Sequence, residues 1–505
     1  MASAAQGSGL KEMPQPPQDQ ISPDQIPPNQ MPADQTLLDP ISLDETQSDE
    51  THQDQISPDQ TRSDETHQDQ ISPDKTLADQ TPGDQTPPDQ ISPDQTMPHQ
   101  TPPDQSPPDE TPLDDTPSDQ IPPDQTPSDE IPWGQKVMTV GDKQLIADEV
   151  LQQLPASGDP WSLSGGDFWL DRVKGCIYGN CIGDAIGLLT EFMIKDEAKK
   201  YYKKHKKLEY VHKVGDFHRC RWETGDWTDD SDQMILILLS STSKCGEIDP
   251  KDFAQRLDRW RCRGYPELGD CGGMGIGSTT LAVLRHADFL TNPHKAATQV
   301  WEQTGRYIAP NGGIMRTSFL GIHHYDNLAN VIWNTYSIAK TTHADPRCIA
   351  SCIAVTTAIA MMLQQRMRHM KKDGSYCVET IMEDAFCIAS QFVDDTQKQE
   401  LHDHMFTPNL RSLALSEPGK IGYTFKPLGA GFWAFRQKKF RDALTATTME
   451  AGDADSNGAV AGALLGCKLG FQQLPKSWVS NLKHREWLEQ QIQGYLSAIY
   501  PDVVN

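Results

Sequence analysis

Within residues 168–192 glycine recurs at every fourth position, at Gly175, Gly179, Gly183 and Gly187. On a helix of about 3.6 residues per turn this spacing places all of them along one face, where missing side chains let another helix approach closely. The same stripe in a membrane helix would favour dimerisation, but Asp171, Arg172, Lys174, Asn180 and Asp184 interrupt the segment and exclude that reading. Residues 234–239 are continuously apolar, and 459–470 are rich in Ala, Gly and Leu. Both read as central, buried helices. Further helical patterns cover 250–260, 279–290, 328–339, 346–362, 377–392 and 478–500. Alternating strand patterns are hard to find, so the expected fold class is all-α.

This helical part is preceded by something different. From position 19 to position 129 an acidic residue recurs every fifth place, with Asn29 and His99 the lapses, in units such as Thr-Pro-Pro-Asp-Gln. A period of five fits neither helix nor strand, Pro removes donors, and few aromatics are available to bury. Residues 1–135 are therefore expected to be a disordered tail, 136–160 a linker and 161–505 the folded domain. The tail holds 28 Asp plus Glu and 3 Lys plus Arg, a net of −25 out of the chain's −26. The acidity thus belongs to the tail, and it argues against direct nucleic-acid binding. Ser-Pro and Thr-Pro pairs such as Ser22-Pro23 and Thr101-Pro102 offer phosphorylation sites, although a solubilising spacer is the simpler role.

All eleven Cys lie in the helical part, an odd number without a C-x-x-C pair, which fits a reduced interior. No apolar N-terminal signal is visible, and no apolar stretch is expected to reach the ~18 residues of a membrane span. The chain is expected to be a soluble monomer of the cytoplasm, with the nucleus as the alternative. Residues 195–213 are dense in Lys. They read as a solvated helix or loop, or else as a positive rim that attracts phosphate.

Two acidic clusters run straight into apolar helices: Trp227-Thr228-Asp229-Asp230-Ser231-Asp232 and Gly452-Asp453-Ala454-Asp455-Ser456-Asn457. Carboxylates at the rim of a core are costly unless something positive neutralises them, and neither cluster contains Lys or Arg. A bound cation is the simplest answer, and carboxylates with hydroxyls favour Mg²⁺, Mn²⁺ or Ca²⁺. The alternative is that Asp229 and Asp453 merely cap helices.

With both clusters in view, the folded part resembles the ADP-ribosylglycohydrolase family. The resemblance rests on an ordered set: Gly-Asn-Cys-Ile-Gly-Asp-Ala-Ile-Gly with Thr190-Glu191-Phe192, then Trp-Thr-Asp-Asp-Ser and Gly275-Ile276-Gly277-Ser278-Thr279-Thr280. Asn311-Gly312-Gly313-Ile314-Met315-Arg316, Thr342-His343-Ala344-Asp345-Pro346 and Gly-Asp-Ala-Asp-Ser-Asn-Gly-Ala complete it. It implies an all-α domain with two Mg²⁺ ions, or Mn²⁺ in their place. Thr228, Asp229 and Asp230 would hold one side of the pair, and Asp453, Asp455 and Ser456 the other. Ser456 departs from the family's usual Thr but offers the same oxygen. Glu191 matches the glutamate near the metals, and Glu191, Asp229 and Asp455 are the expected catalytic carboxylates.

Gly275, Gly277, Asn311, Gly312, Gly313 and His343 are the expected substrate contacts. Glycines admit close backbone approach, and a turn such as 311–313 can aim N–H groups at a pyrophosphate. Asp270, just before the glycine loop, is a weaker acid–base candidate. The implied reaction is hydrolysis of the N- or O-glycosidic bond joining ADP-ribose to a protein side chain or small molecule. A crystallin-like or merely ADP-ribose-binding protein of the same fold, and a two-metal phosphohydrolase, are the rivals.

Overall fold

The computed structural model describes residues 132–135, 142–156, 158–159 and 166–504. The repeat segment lies outside the described residues up to position 131. Its last residues do not: Trp133–Gln135 forms a helical turn, and Trp133 is buried. The expected linker likewise contains the helix Asp142–Val150, ending on a fully buried Val150. Gly134 lies against the Phe392 carbonyl, so close that a Cβ there would overlap it.

Helices α1 (Gly166–Gly187), α2 (Asp229–Ser243), α3 (Leu328–Ala339), α4 (Pro346–Gln364), α5 (Phe425–Phe435), α6 (Ala454–Leu469) and α7 (Arg485–Ile499) frame the core. No strand occurs among the described residues, only isolated bridges. The glycine stripe of α1 finds its partner in α6. A Cβ on Gly175, Gly179, Gly183 or Gly187 would overlap the carbonyl of Gly466, Gly462, Gly458 or Ala454 respectively. Numbers rising on one helix fall on the other, so the pair is antiparallel. Each interior glycine costs a helix about 1 kcal/mol relative to alanine. That cost is offset because the two backbones touch along their length, and nearly every residue of 175–187 and 454–467 is buried.

On the far side of α6, Gly431 of α5 sits against Val460, its would-be Cβ 2.7 Å from Cγ1. Helix α4 begins at Pro346 behind its N-cap Asp345, whose side chain accepts the Arg347 N–H. With 19 residues it is long and apolar enough to cross a membrane, contrary to the expectation that no stretch reaches that length. Its apolar window is 94% buried inside the body, so it is a core helix.

Two helical expectations need trimming. The 279–290 pattern ends as a helix at Leu284, and Asp288 N–H turns to the His286 ring (3.1 Å). The 478–500 pattern breaks into Lys476–Ser480 and α7, because the intervening Lys483 N–H bonds the Gly225 carbonyl at 2.9 Å. Helices Pro293–Gln303, Asp395–Met405, α5 and Phe440–Thr448 were not foreseen.

Candidate active site

The antiparallel pair decides what meets at its end. The chain leaving α1 and the chain entering α6 run side by side: Phe192 N–H bonds Gly452 O (2.7 Å), and Gly452 N–H bonds Met193 O (3.0 Å). Thr190 Oγ1 donates to Thr448 O at 2.5 Å. Glu191 is thereby pinned opposite Gly452, and oxygens of Glu191, Asp453 and Asp455 lie within 4.8 Å of one another. The start of α2 is delivered by α1 as well. Asp184, fully buried, accepts Thr228 N–H at 3.0 Å, Ser231 N–H at 3.0 Å and the Ser231 hydroxyl at 2.6 Å. The N-cap Thr228 accepts Asp230 N–H (3.4 Å) and donates its hydroxyl to Asp455 Oδ2 (3.3 Å).

The simple capping alternative fails on geometry. Thr228 and Asp184 perform that role for α2, while Asp453 occupies the N-cap of α6 without a side-chain cap bond. Its carboxylate instead accepts Asn311 Nδ2–H at 2.9 Å. Burial, then repulsion from neighbouring carboxylates, pushes Asp229, Asp230 and Asp455 well above the carboxylate range. Asp453 is raised too, chiefly by burial, and Asp184 rises to about 7 for the same reason despite its donors. The buried Arg316 reaches Asp229 through Gln233, which donates to Asp229 Oδ2 (2.7 Å) and accepts from the guanidinium (2.8 Å). Asp230 Oδ2 and Asp455 Oδ1 are buried without any hydrogen-bond donor. An all-oxygen set with unmatched anionic lone pairs fits a hard divalent cation. Ser456 lies beside Asp230 and partly offsets its upward shift.

The other expected residues divide. Gly275 (φ +91°) presses against Asp229, leaving no room for a Cβ, and Asn311 reaches Asp453. Gly312 covers His343: its would-be Cβ lies 2.8 Å from the ring Cε1. His343 is 2% exposed, so it sits beneath the turn; Thr342 Oγ1 is 2.7 Å from its Nδ1, and burial pushes its pKa down to about 3. Arg316 also bonds Thr342 (2.7 Å), closing a chain from Asp229 to His343. Gly277 faces open space, and Gly313 packs on Cys352. Asp270 accepts Tyr265 N–H at 2.9 Å and lines a separate small cavity with Asp226, Asp232 and His484. In the Lys-rich stretch, Lys195–Tyr202 is a helix with mostly exposed lysines and a buried Tyr202.

Sequence reasoning gave no role to Asp184, Gln233 or Arg316; the loop 217–227, which the sequence suggests as one that selects the leaving group, brings His218 Nε2 to 2.6 Å from Glu191 Oε2. Asp184 had one signal: a charge beside Gly183 on a helix face that must be buried.

The ADP-ribosylglycohydrolase family model matches residues 166–502. An ADP-ribosylarginine hydrolase Tri1 of Serratia proteamaculans is 27% identical over 63% of this chain and 76% of its own length. The ADP-ribosyl-[dinitrogen reductase] glycohydrolase of Rhodospirillum rubrum is 24% identical over 65% of this chain and 95% of its own. An uncharacterized protein of Archaeoglobus fulgidus is 25% identical over 63% and 94% respectively.

Proposed function

This chain belongs to the ADP-ribosylglycohydrolase family, and on that premise we propose that it hydrolyses the glycosidic bond between ADP-ribose and an acceptor, with a pair of Mg²⁺ ions (or Mn²⁺) at the carboxylate cluster. One observation carries the reading. Glu191, Asp453 and Asp455 oxygens converge within 4.8 Å of one another, and among the described residues no Lys or Arg forms an ion pair with these carboxylates. A non-catalytic relative would be free to lose these carboxylates, and here Asp229, Asp230, Asp453 and Asp455 all persist.

Thr228, Asp229, Asp230, Asp453, Asp455 and Ser456, with Glu191 at the edge, are the side chains to hold the ions. Bound divalent cations supply Lewis-acid polarisation of ribose hydroxyls and a water of lowered pKa. The chain's own groups do the rest. Asp184 keeps the start of α2 in place, and Asn311 orients Asp453. The turn at Gly312 would direct backbone N–H groups to a pyrophosphate, while His343 packs against that turn. Glu191 or one of the cluster aspartates would take the proton of the attacking water and return a proton to the departing acceptor, and burial strengthens every charge interaction involved. The acceptor to try first is arginine, because the Serratia relative's name carries that linkage. We place the enzyme inside the cell, acting as a monomer.

The deciding experiment offers ADP-ribosyl-arginine, ADP-ribosyl-serine and poly(ADP-ribose) to the full chain with Mg²⁺. Free ADP-ribose from at least one, lost on chelation and reduced ~10²-fold or more in Asp455→Ala, is the expected outcome. AMP or phosphate as the product would mean a phosphohydrolase instead. No product from any of the three would overturn catalysis.

A further inference from the structure

We propose that His218 is a positioning residue for Glu191, one whose Nε2–H holds one carboxylate oxygen and leaves the other for the carboxylate centre. This rests on the hydrolase reading above.

The tautomer follows from the donors around the ring. His218 Nδ1 lies 2.6 Å from Arg221 Nη2, and Arg221 Nε also donates to the His218 carbonyl at 3.2 Å. A guanidinium can only donate, so Nδ1 is the acceptor and the ring proton resides on Nε2. Nε2–H therefore points at Glu191 Oε2, 2.6 Å away. The ring also packs against Phe192, with centroids 4.8 Å apart, and edge-on against Trp222 at 5.1 Å. Arg221 in turn covers the Trp222 ring at 4.6 Å.

The backbone is clamped to match. Arg219 donates Nη2 to the Glu191 carbonyl and Nε to the Leu189 carbonyl at 2.9 Å, and pairs with Asp216 through Nη1. Asp216 Oδ1 also accepts the Arg219 N–H at 2.8 Å, closing a tight turn that presents His218. Glu191 is thus fixed at its main chain by Arg219 and Gly452, and at its side chain by His218. A glutamate carboxylate, carried on three rotatable bonds, has several rotamers, and only those facing Asp453 and Asp455 keep it in the cluster. Holding Oε2 selects among them. Groups that orient a metal-site carboxylate typically matter ~10–100-fold in affinity or activity.

The test uses the full chain, with Mn²⁺ as the binding probe and the best of the three substrates for turnover. His218→Ala should lower kcat ~10–100-fold while KM changes little, and weaken Mn²⁺ binding measured by electron paramagnetic resonance. His218→Gln, whose amide N–H can stand near the Nε2 position, should recover most of both. Arg221→Ala, which frees the tautomer, should fall between. In a Glu191→Ala background the His218→Ala change should have no additional effect, because its only route is through that carboxylate. Additive losses in the double variant, failure of Gln to rescue, or unchanged Mn²⁺ binding and kcat in His218→Ala would each overturn the proposal. If the parent chain hydrolyses nothing, the hydrolase reading fails alone, and Mn²⁺ binding by the same variants still decides the role of His218.

Discussion

Asp184 shows how one side chain can organise an active centre without belonging to it. It accepts three donors from the first turn of α2, two of them backbone N–H groups with no helical partner of their own. Asp184→Ala would strand them in a dry environment, so we expect a loss on the order of 2–4 kcal/mol in urea unfolding together with loss of turnover. Asp184→Asn should be milder in stability. A second residue-scale effect concerns acid. His323 is buried between Tyr495 OH (3.0 Å from Nδ1) and Gly246 O (2.9 Å from Nε2), with the tilted ring of His324 beside it, centroids 4.2 Å apart. Burial, then the neighbouring His324, lowers its pKa from 6.5 to about 4. A histidine whose folded pKa is depressed adds stability above its unfolded pKa and loses it as pH falls through the folded one. Unfolding free energy should therefore fall between about pH 6.5 and pH 4 through this group, by on the order of 3 kcal/mol when fully expressed, and the melting temperature should fall with it. His323→Gln should flatten that limb; an unchanged slope would assign the acid sensitivity elsewhere.

At the scale of elements, the α1–α6 pair is both the structural axis and the device that aligns the carboxylates. Gly→Ala inside a helix ordinarily stabilises by about 1 kcal/mol. Here the sign reverses, since a Cβ on Gly179 or Gly462 would overlap the partner's carbonyl, and backbone cannot swing aside as a side-chain tip can. Gly179→Ala should cost at least ~2 kcal/mol in denaturant unfolding. Gly183→Ala, nearer the site, should lose activity beyond what its stability loss explains, because separating the helices separates Glu191 from Asp455. Gly277→Ala is the control: nothing lies within 4 Å of its would-be Cβ, so stability should be unaffected. The α1 half of this motif was read from spacing alone. The α6 half, Gly458, Gly462 and Gly466, carries the same period, but within a run already rich in Ala and Gly its face did not stand out.

For the whole molecule, the boundary of the folded body matters most. Removing residues 1–131 should leave hydrolysis of a small substrate and the melting temperature unchanged. Removing 1–160 also takes away the buried Trp133 and Val150, and should cost a few kcal/mol, at about 1.5–3 kcal/mol per large apolar side chain. Equal melting temperatures for the two truncations would show those contacts to be marginal.

Local pattern was enough to establish the helical class, the glycine face of α1 and the two acidic clusters, because periodicity and uncompensated charge are properties of adjacent residues. The 328–339 helix was placed to the residue on that basis. Partnership was different. That Glu191 joins Asp453 and Asp455, that Asp184 caps a helix it does not belong to, that His343 lies under Gly312, and that His218 grips Glu191 all depend on segments far apart in the chain. Those contacts exist only once two glycine-lined backbones have closed on each other, and no window of sequence contains both sides of that contact.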